Sequence, residues 1–220
     1  MLGQQSLFVP DASLPLRQRV TVEIITLAQA RCTLEQFHYL HRCRTGRQIN
    51  YAVLIDGVVD GVITMAYPSG AMTLLDLQPG EFVEFARLYL AHNIPHSASC
   101  AIGKVLRRFH DDWMRLFPDA VEPRLVVSWS DQEYHKGTIY KAANFQWLRE
   151  SPGAAAGGLR RGHKRWGERG RYADLGHMKD CWIFWLNTPP SNKGVKLTAA
   201  PVLSAIASGD WVQPQLTPDR

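Results

Sequence analysis

Cysteine is scarce in this chain of 220 residues, and the four that occur, Cys32, Cys43, Cys100 and Cys181, form no CxxC pair. Such spacing argues against a zinc knuckle and against a small disulfide framework. Reduced thiols in a cytoplasmic protein are the expectation. No apolar run approaches the roughly 20 residues that would span a bilayer. The opening MLGQQSLFVPDASLPLRQRV has no basic stretch followed by an apolar one, so no export signal and no membrane partner are expected. Neither GxGxxG nor GKT is present, which removes the common dinucleotide and P-loop signatures. No internal repeat is visible.

Positive charge, by contrast, is abundant and concentrated. The formal net charge is +5. Residues 149–172 contain seven basic side chains (Arg149, Arg160, Arg161, Lys164, Arg165, Arg169, Arg171) against Glu150 and Glu168, a surplus that accounts for the whole excess. Trp166 and Tyr172 are interleaved among them. Guanidinium groups that neutralise phosphates beside rings that stack on bases suit nucleic acid, with a solvated basic loop as the bland alternative. Arg160, Arg161, Lys164, Arg165, Trp166 and Arg169 are the candidate DNA contacts.

With 45% hydrophobic and 20% charged residues, the chain can bury the core of one ordinary domain. Residues 1–19 read as an irregular leader, 20–186 as the domain with a basic loop over 151–176, and 187–220, with proline at five positions, as a disordered tail. Inside the domain the period alternates. A β-rich run at 20–27 leads into a short helix at 28–37, with Ala30, Leu34 and Phe37 on one face. Asp56-Gly57 between two β-branched runs predicts a two-residue hairpin. A strand at 82–90 places Phe82, Glu84, Ala86 and Leu88 on one side and Val83, Phe85, Arg87 and Tyr89 on the other. Residues 97–116 form an amphipathic helix with Ile102, Val105, Leu106, Phe109, Trp113 and Leu116 as its stripe and Ser97 or Ser99 as its N-cap. A strand from residue 126, a short helix near 137–143 and a buried strand at 181–186 complete an α+β order with one mixed, mainly antiparallel central sheet flanked by helices.

Three places carry candidate chemistry. The hydroxyl-rich start of the long helix (Ser97, Ser99, then Gly103 and Lys104) offers N–H groups and a favourable dipole to a pyrophosphate; an ordinary serine cap is the alternative. His38 and Tyr39 can serve as base, oxyanion donor or ligand, unless Phe37 and Tyr39 merely anchor a loop and His38 is exposed. Asp131, where a strand hands over to a helix, can take a proton or simply cap that helix, and Tyr140 can act at the same place or only pack helix to sheet.

Four stretches in order, FHYLH at 37–41, INYAVLIDGVVDGVITMAYP, EFARLYLAHNIPHSASCAIGKVLRRF and VVSWSDQEYHKGTIYKAANF, resemble the Mom proteins of phages and prophages, over about residues 20–150. The resemblance implies an acetyltransferase-like (GNAT) fold, an acetyl-CoA or related acyl-CoA donor, double-stranded DNA as partner, and conversion of the adenine exocyclic amine to a carbamoylmethyl-type adduct. It implies the cytoplasm of a bacterium or infected host. His38, Tyr39, Asp131 and Tyr140 match positions linked to the active site in that family, with which an iron held by His38, Tyr39 and Asp131 is associated. Ser99 falls on the family's Ser-Arg-x-Ile pattern near the donor pyrophosphate, but Cys100 stands where the arginine is expected, with Lys104 or Arg107 as the substitutes at hand. The alternatives are an N-acetyltransferase acting on a small amine or a protein, and a DNA-binding or defence-associated relative that has lost donor binding.

Overall fold

The computed structural model describes residues 14–68, 74–152 and 178–186. The candidate DNA contacts at 160–169 and the tail after residue 186 lie outside them. A one-turn helix, α1 (Leu16–Arg19), runs straight into β1 (Val20–Ile25). Thr26 then starts α2 (Leu27–Phe37) through a reciprocal capping box with Gln29, two orphan donors satisfied at once. Asp56 and Gly57, with φ of 53° and 77°, form the expected turn between β2 (Gln48–Ile55) and β3 (Val58–Ala66). β4 (Phe82–Leu90) precedes α3 (Ser97–Leu116), and β5 (Leu125–Asp131) precedes α4 (Thr138–Ala142). β6 (Gln146–Pro152) and β7 (Met178–Trp185) close a seven-stranded sheet in the order β1-β2-β3-β4-β5-β7-β6.

The core lies mainly between this sheet and α3, whose Ile102, Val105, Leu106, Phe109 and Trp113 are buried against β1–β5 residues such as Tyr51, Ile63, Val83 and Val126. On the opposite face α2 packs Ala30 and Leu34 onto Val62. Two expected face residues are instead outside. Phe37 is 52% exposed, its ring stacked on Tyr89, and Leu116 is 41% exposed. Each ends its helix, where the apolar stripe has run past the sheet it covers. β6 has no counterpart among the expected elements; its Trp147 is 53% exposed and it pairs only with β7, so an edge strand with no clean alternation of polarity leaves no signature.

The sheet is interrupted at its centre. β4 and β5 are its one parallel pair, and they pair only from Phe82 opposite Leu125 to Glu84 opposite Val127. Beyond that point β4 carries a bulge, because Phe85 faces Met65 while Arg87 faces Thr64 and Ala86 is left over. The bulge bends the strand and breaks the expected alternation. Phe85 faces the α3 side, yet Tyr89 packs with α2. The two strands therefore separate and leave a cleft between residues 86–90 and 129–131.

Candidate active site

At the point of separation the Ser128 hydroxyl lies 2.9 Å from both the Phe85 carbonyl and the Tyr140 hydroxyl. A carbonyl only accepts, so the serine proton goes to Phe85 and the phenol donates to the serine oxygen. Burial pushes Tyr140 up to about 12, which keeps it protonated. Its ring stacks on Trp182 at 5.5 Å and 8°, and Trp182 Nε1 donates to Ser130 Oγ at 2.8 Å. Gly137, at φ +70°, lies against the same indole: a Cβ there would stand 2.1 Å from Trp182 Cζ2.

β5 ends in Asp131, 5% exposed. Its Oδ1 accepts the Glu133 N–H at 3.0 Å, and its carbonyl accepts from Tyr134 and His135 at 3.2 and 2.8 Å. The carboxylate therefore folds its own turn, a local bond typical of aspartate, and the turn returns Tyr134 and His135 toward the cleft. α2 delivers the other half. His38, its C-cap, is buried at 5% exposure while Tyr39 is 52% exposed, the reverse of a tyrosine anchor with an exposed histidine. The two rings stack at 4.5 Å, and Tyr39 meets Tyr134 at 5.9 Å and His135 at 6.1 Å. Tyr39 thus lies against His38 and within electrostatic reach of Asp131, beside residues that no sequence motif singles out.

Arg87 is the most consequential of these. Burial holds His38 down at about 4, and the Arg87 guanidinium, His135 and His41 push the same way. Partial desolvation raises Tyr39, with Asp131 and Tyr134 adding to the effect and Arg87 opposing it. His135 is lowered by the protein packed beside it, against the pull of Asp131. His38 is accordingly neutral at pH 7. Its Nδ1 accepts the Leu40 N–H at 3.1 Å, which leaves the ring proton on Nε2. In this tautomer His38 presents a hydrogen-bond donor at Nε2, and its Nδ1 lone pair is engaged by the Leu40 N–H. The iron implied by the resemblance does not fit such a donor set, because the Nδ1 lone pair is taken and Nε2 carries the proton.

The start of α3 follows shortly after β4. Neither serine caps it. His96, at φ 67°, is the N-cap, because the Ser97 and Ser99 hydroxyls donate to the Ile94 and His96 carbonyls at 2.8 and 3.1 Å in the preceding turn. The Ser97 and Cys100 N–H groups also bond Ile94 and His96, so those of Ala98 and Ser99 are the ones the first turn presents outward. Gly103 leaves room for a Cβ whose nearest neighbour would be an Arg107 guanidinium nitrogen at 3.6 Å. Arg107 therefore lies back over Gly103 toward the helix start, in the region where Cys100 supplies no charge.

Residues 19–168 match the family model of the Mom protein family, more than half of the chain. The chain belongs to the Mom protein family. Among solved structures, a spermidine/spermine N-acetyltransferase, SpeG, of Vibrio cholerae, determined with manganese ions, superposes with a TM-score of 0.50 at 8% identity, covering 81% of this chain and 99% of that one. NAA60 of Arabidopsis thaliana, determined with acetyl-CoA, gives 0.46 at 14% identity over 76% and 99% of the two chains. The fold of this Mom family member is that of the GNAT acetyltransferases. No curated protein matches the chain significantly. No helix among the described residues is long and apolar enough to cross a membrane, and the four cysteines are free.

Proposed function

We propose that this Mom family member transfers an acyl group from an acyl-CoA to the exocyclic amine of adenine in double-stranded DNA, and that the modified base is protected from restriction. The new C–N bond forms as the thioester breaks and coenzyme A leaves as its thiol. The carbamoylmethyl-type adduct that the resemblance implies requires in addition an amide nitrogen and a two-electron oxidant from outside the acyl-CoA. What supports this reading is the stack of Tyr39 on His38, within electrostatic reach of Asp131, in a chain of this family. An acyl-CoA lies with its thioester arm between the separated strands and its pyrophosphate at the start of α3, where Ser97, Ser99, Gly103 and Lys104 stand and Arg107 supplies charge. An aromatic amine is a weak nucleophile because its lone pair is delocalised into the ring. Asp131 takes its proton, a contribution typically of about 10²–10⁴-fold. The Nε2–H of His38 faces developing negative charge rather than accepting a proton, and Tyr140, whose proton goes to Ser128, holds β5 in place where the strands part. Residues 160–169 hold the DNA backbone through Arg160, Arg161, Lys164, Arg165 and Arg169, with Trp166 available to stack.

Mass spectrometry of nucleosides from the DNA of expressing cells tests this. A modified deoxyadenosine is expected. Asp131→Asn, which keeps the bond to the Glu133 N–H, should cut its yield about a hundredfold or more, and Tyr140→Phe should reduce it with the fold intact. Only the four ordinary nucleosides, from cells containing folded soluble protein, would defeat the reading.

A further inference from the structure

Around the cleft mouth the chain leaves large aromatic rings in water. Tyr39 and Tyr134 are 52% and 55% exposed. They come from different parts of the chain, the end of α2 and the turn after β5, so their meeting is made by the tertiary fold. Neither is adrift. Tyr39 is stacked on buried His38, and Tyr134 is tied through its N–H to the Asp131 carbonyl. The rings stand 5.9 Å apart at 47°, an open pair rather than a closed stack. Exposed rings on a turn fixed by its backbone, next to a buried carboxylate, offer a π-face to a flat ligand, which an aliphatic amine does not need.

We infer that Tyr134, with Tyr39, stacks on a single purine base drawn out of the duplex, and so sets the acceptor as an extruded nucleobase. This rests on the DNA-modification reading. An amine inside a paired, stacked duplex is out of reach of Asp131, and drawing the base out costs free energy that stacking on the protein offsets. Tyr134 is a binding and positioning residue here; it takes no proton.

The test measures affinity of the full chain, without donor, for two duplexes that differ at one position: an adenine paired with thymine, or the same adenine opposite an abasic site. Binding through the backbone is common to both, so their ratio isolates capture of the base. The wild-type chain should prefer the unpaired adenine by about tenfold or more. Tyr134→Ala and Tyr134→Leu should both lower the ratio about fivefold or more, and Tyr134→Phe should keep it. Because Tyr134 is exposed, all three should melt like wild type; the leucine variant keeps bulk without a π-face and guards against a loss of packing. A wild-type ratio near one, or a ratio unchanged in both non-aromatic variants, overturns the stacking role while leaving DNA binding in place. If neither duplex is bound, the DNA-modification reading falls and the stacking role with it.

Discussion

A histidine kept neutral by burial makes a fold sensitive to acid. His38 titrates near 6.5 in an unfolded chain and at about 4 in the native one. Its folded value is depressed, so between these two values the unfolded state binds the proton and the native state does not. The stability at stake is therefore fully present above pH 6.5 and is lost as pH falls toward 4. Urea unfolding followed through this range should show His38→Gln losing less stability than wild type on acidification, even if it is less stable at pH 7. Identical pH profiles would remove His38 from the account. The same residue shows the limit of reading residues one by one. His38 and Asp131 stand out by chemical type and by the motifs around them, but Arg87, Tyr134 and His135 join the site only through the bulge at Ala86 and the turn that Asp131 folds. No spacing in the sequence announces either.

At the scale of elements, most of the frame is legible in the sequence. The Asp-Gly hairpin, the strand at 82–90 and the helix at 97–116 are where period and turn chemistry place them, although the bulge at Ala86 breaks the alternation of that strand. The expected serine cap fails for a local reason: the turn before α3 consumes both hydroxyls. α4 depends on a contact that sequence does not reveal, Gly137 lying on the Trp182 ring. Gly137→Ala adds a Cβ at positive φ against that ring, so Trp182 must move and its stack with Tyr140 must open. A destabilisation of about 1–3 kcal/mol, or more, is expected in denaturant unfolding, together with weaker modification. Gly103→Ala, where a Cβ has ordinary room, should change stability only by the helix-propensity difference, and in the stabilising direction. Equal effects at the two glycines would contradict the packing of Gly137 on Trp182.

For the whole molecule, the placement of β7 between β5 and β6 matters most. Asp131 pairs with Lys179, Pro152 pairs with Met178, and the Gln132 N–H donates to the Met178 carbonyl at 3.0 Å. The charge surplus of residues 149–172 is thus carried by the connection that leaves and re-enters the sheet beside Asp131. DNA affinity should fall steeply with salt, and replacing Arg160, Arg161, Lys164 and Arg165 with glutamine should flatten the log–log slope by roughly 0.9 for each phosphate that is no longer neutralised. A slope unaffected by these four changes would move the backbone contacts elsewhere on the protein.

Pro152 and Met178, paired across the sheet edge, also fix both ends of that connection. Under the proposed function this closeness has a kinetic meaning. A backbone contact made by residues 160–169, which the chain carries between Pro152 and Met178, makes the search for an acceptor base by Asp131 intramolecular. Holding the DNA and reaching the base are then two uses of one stretch of chain.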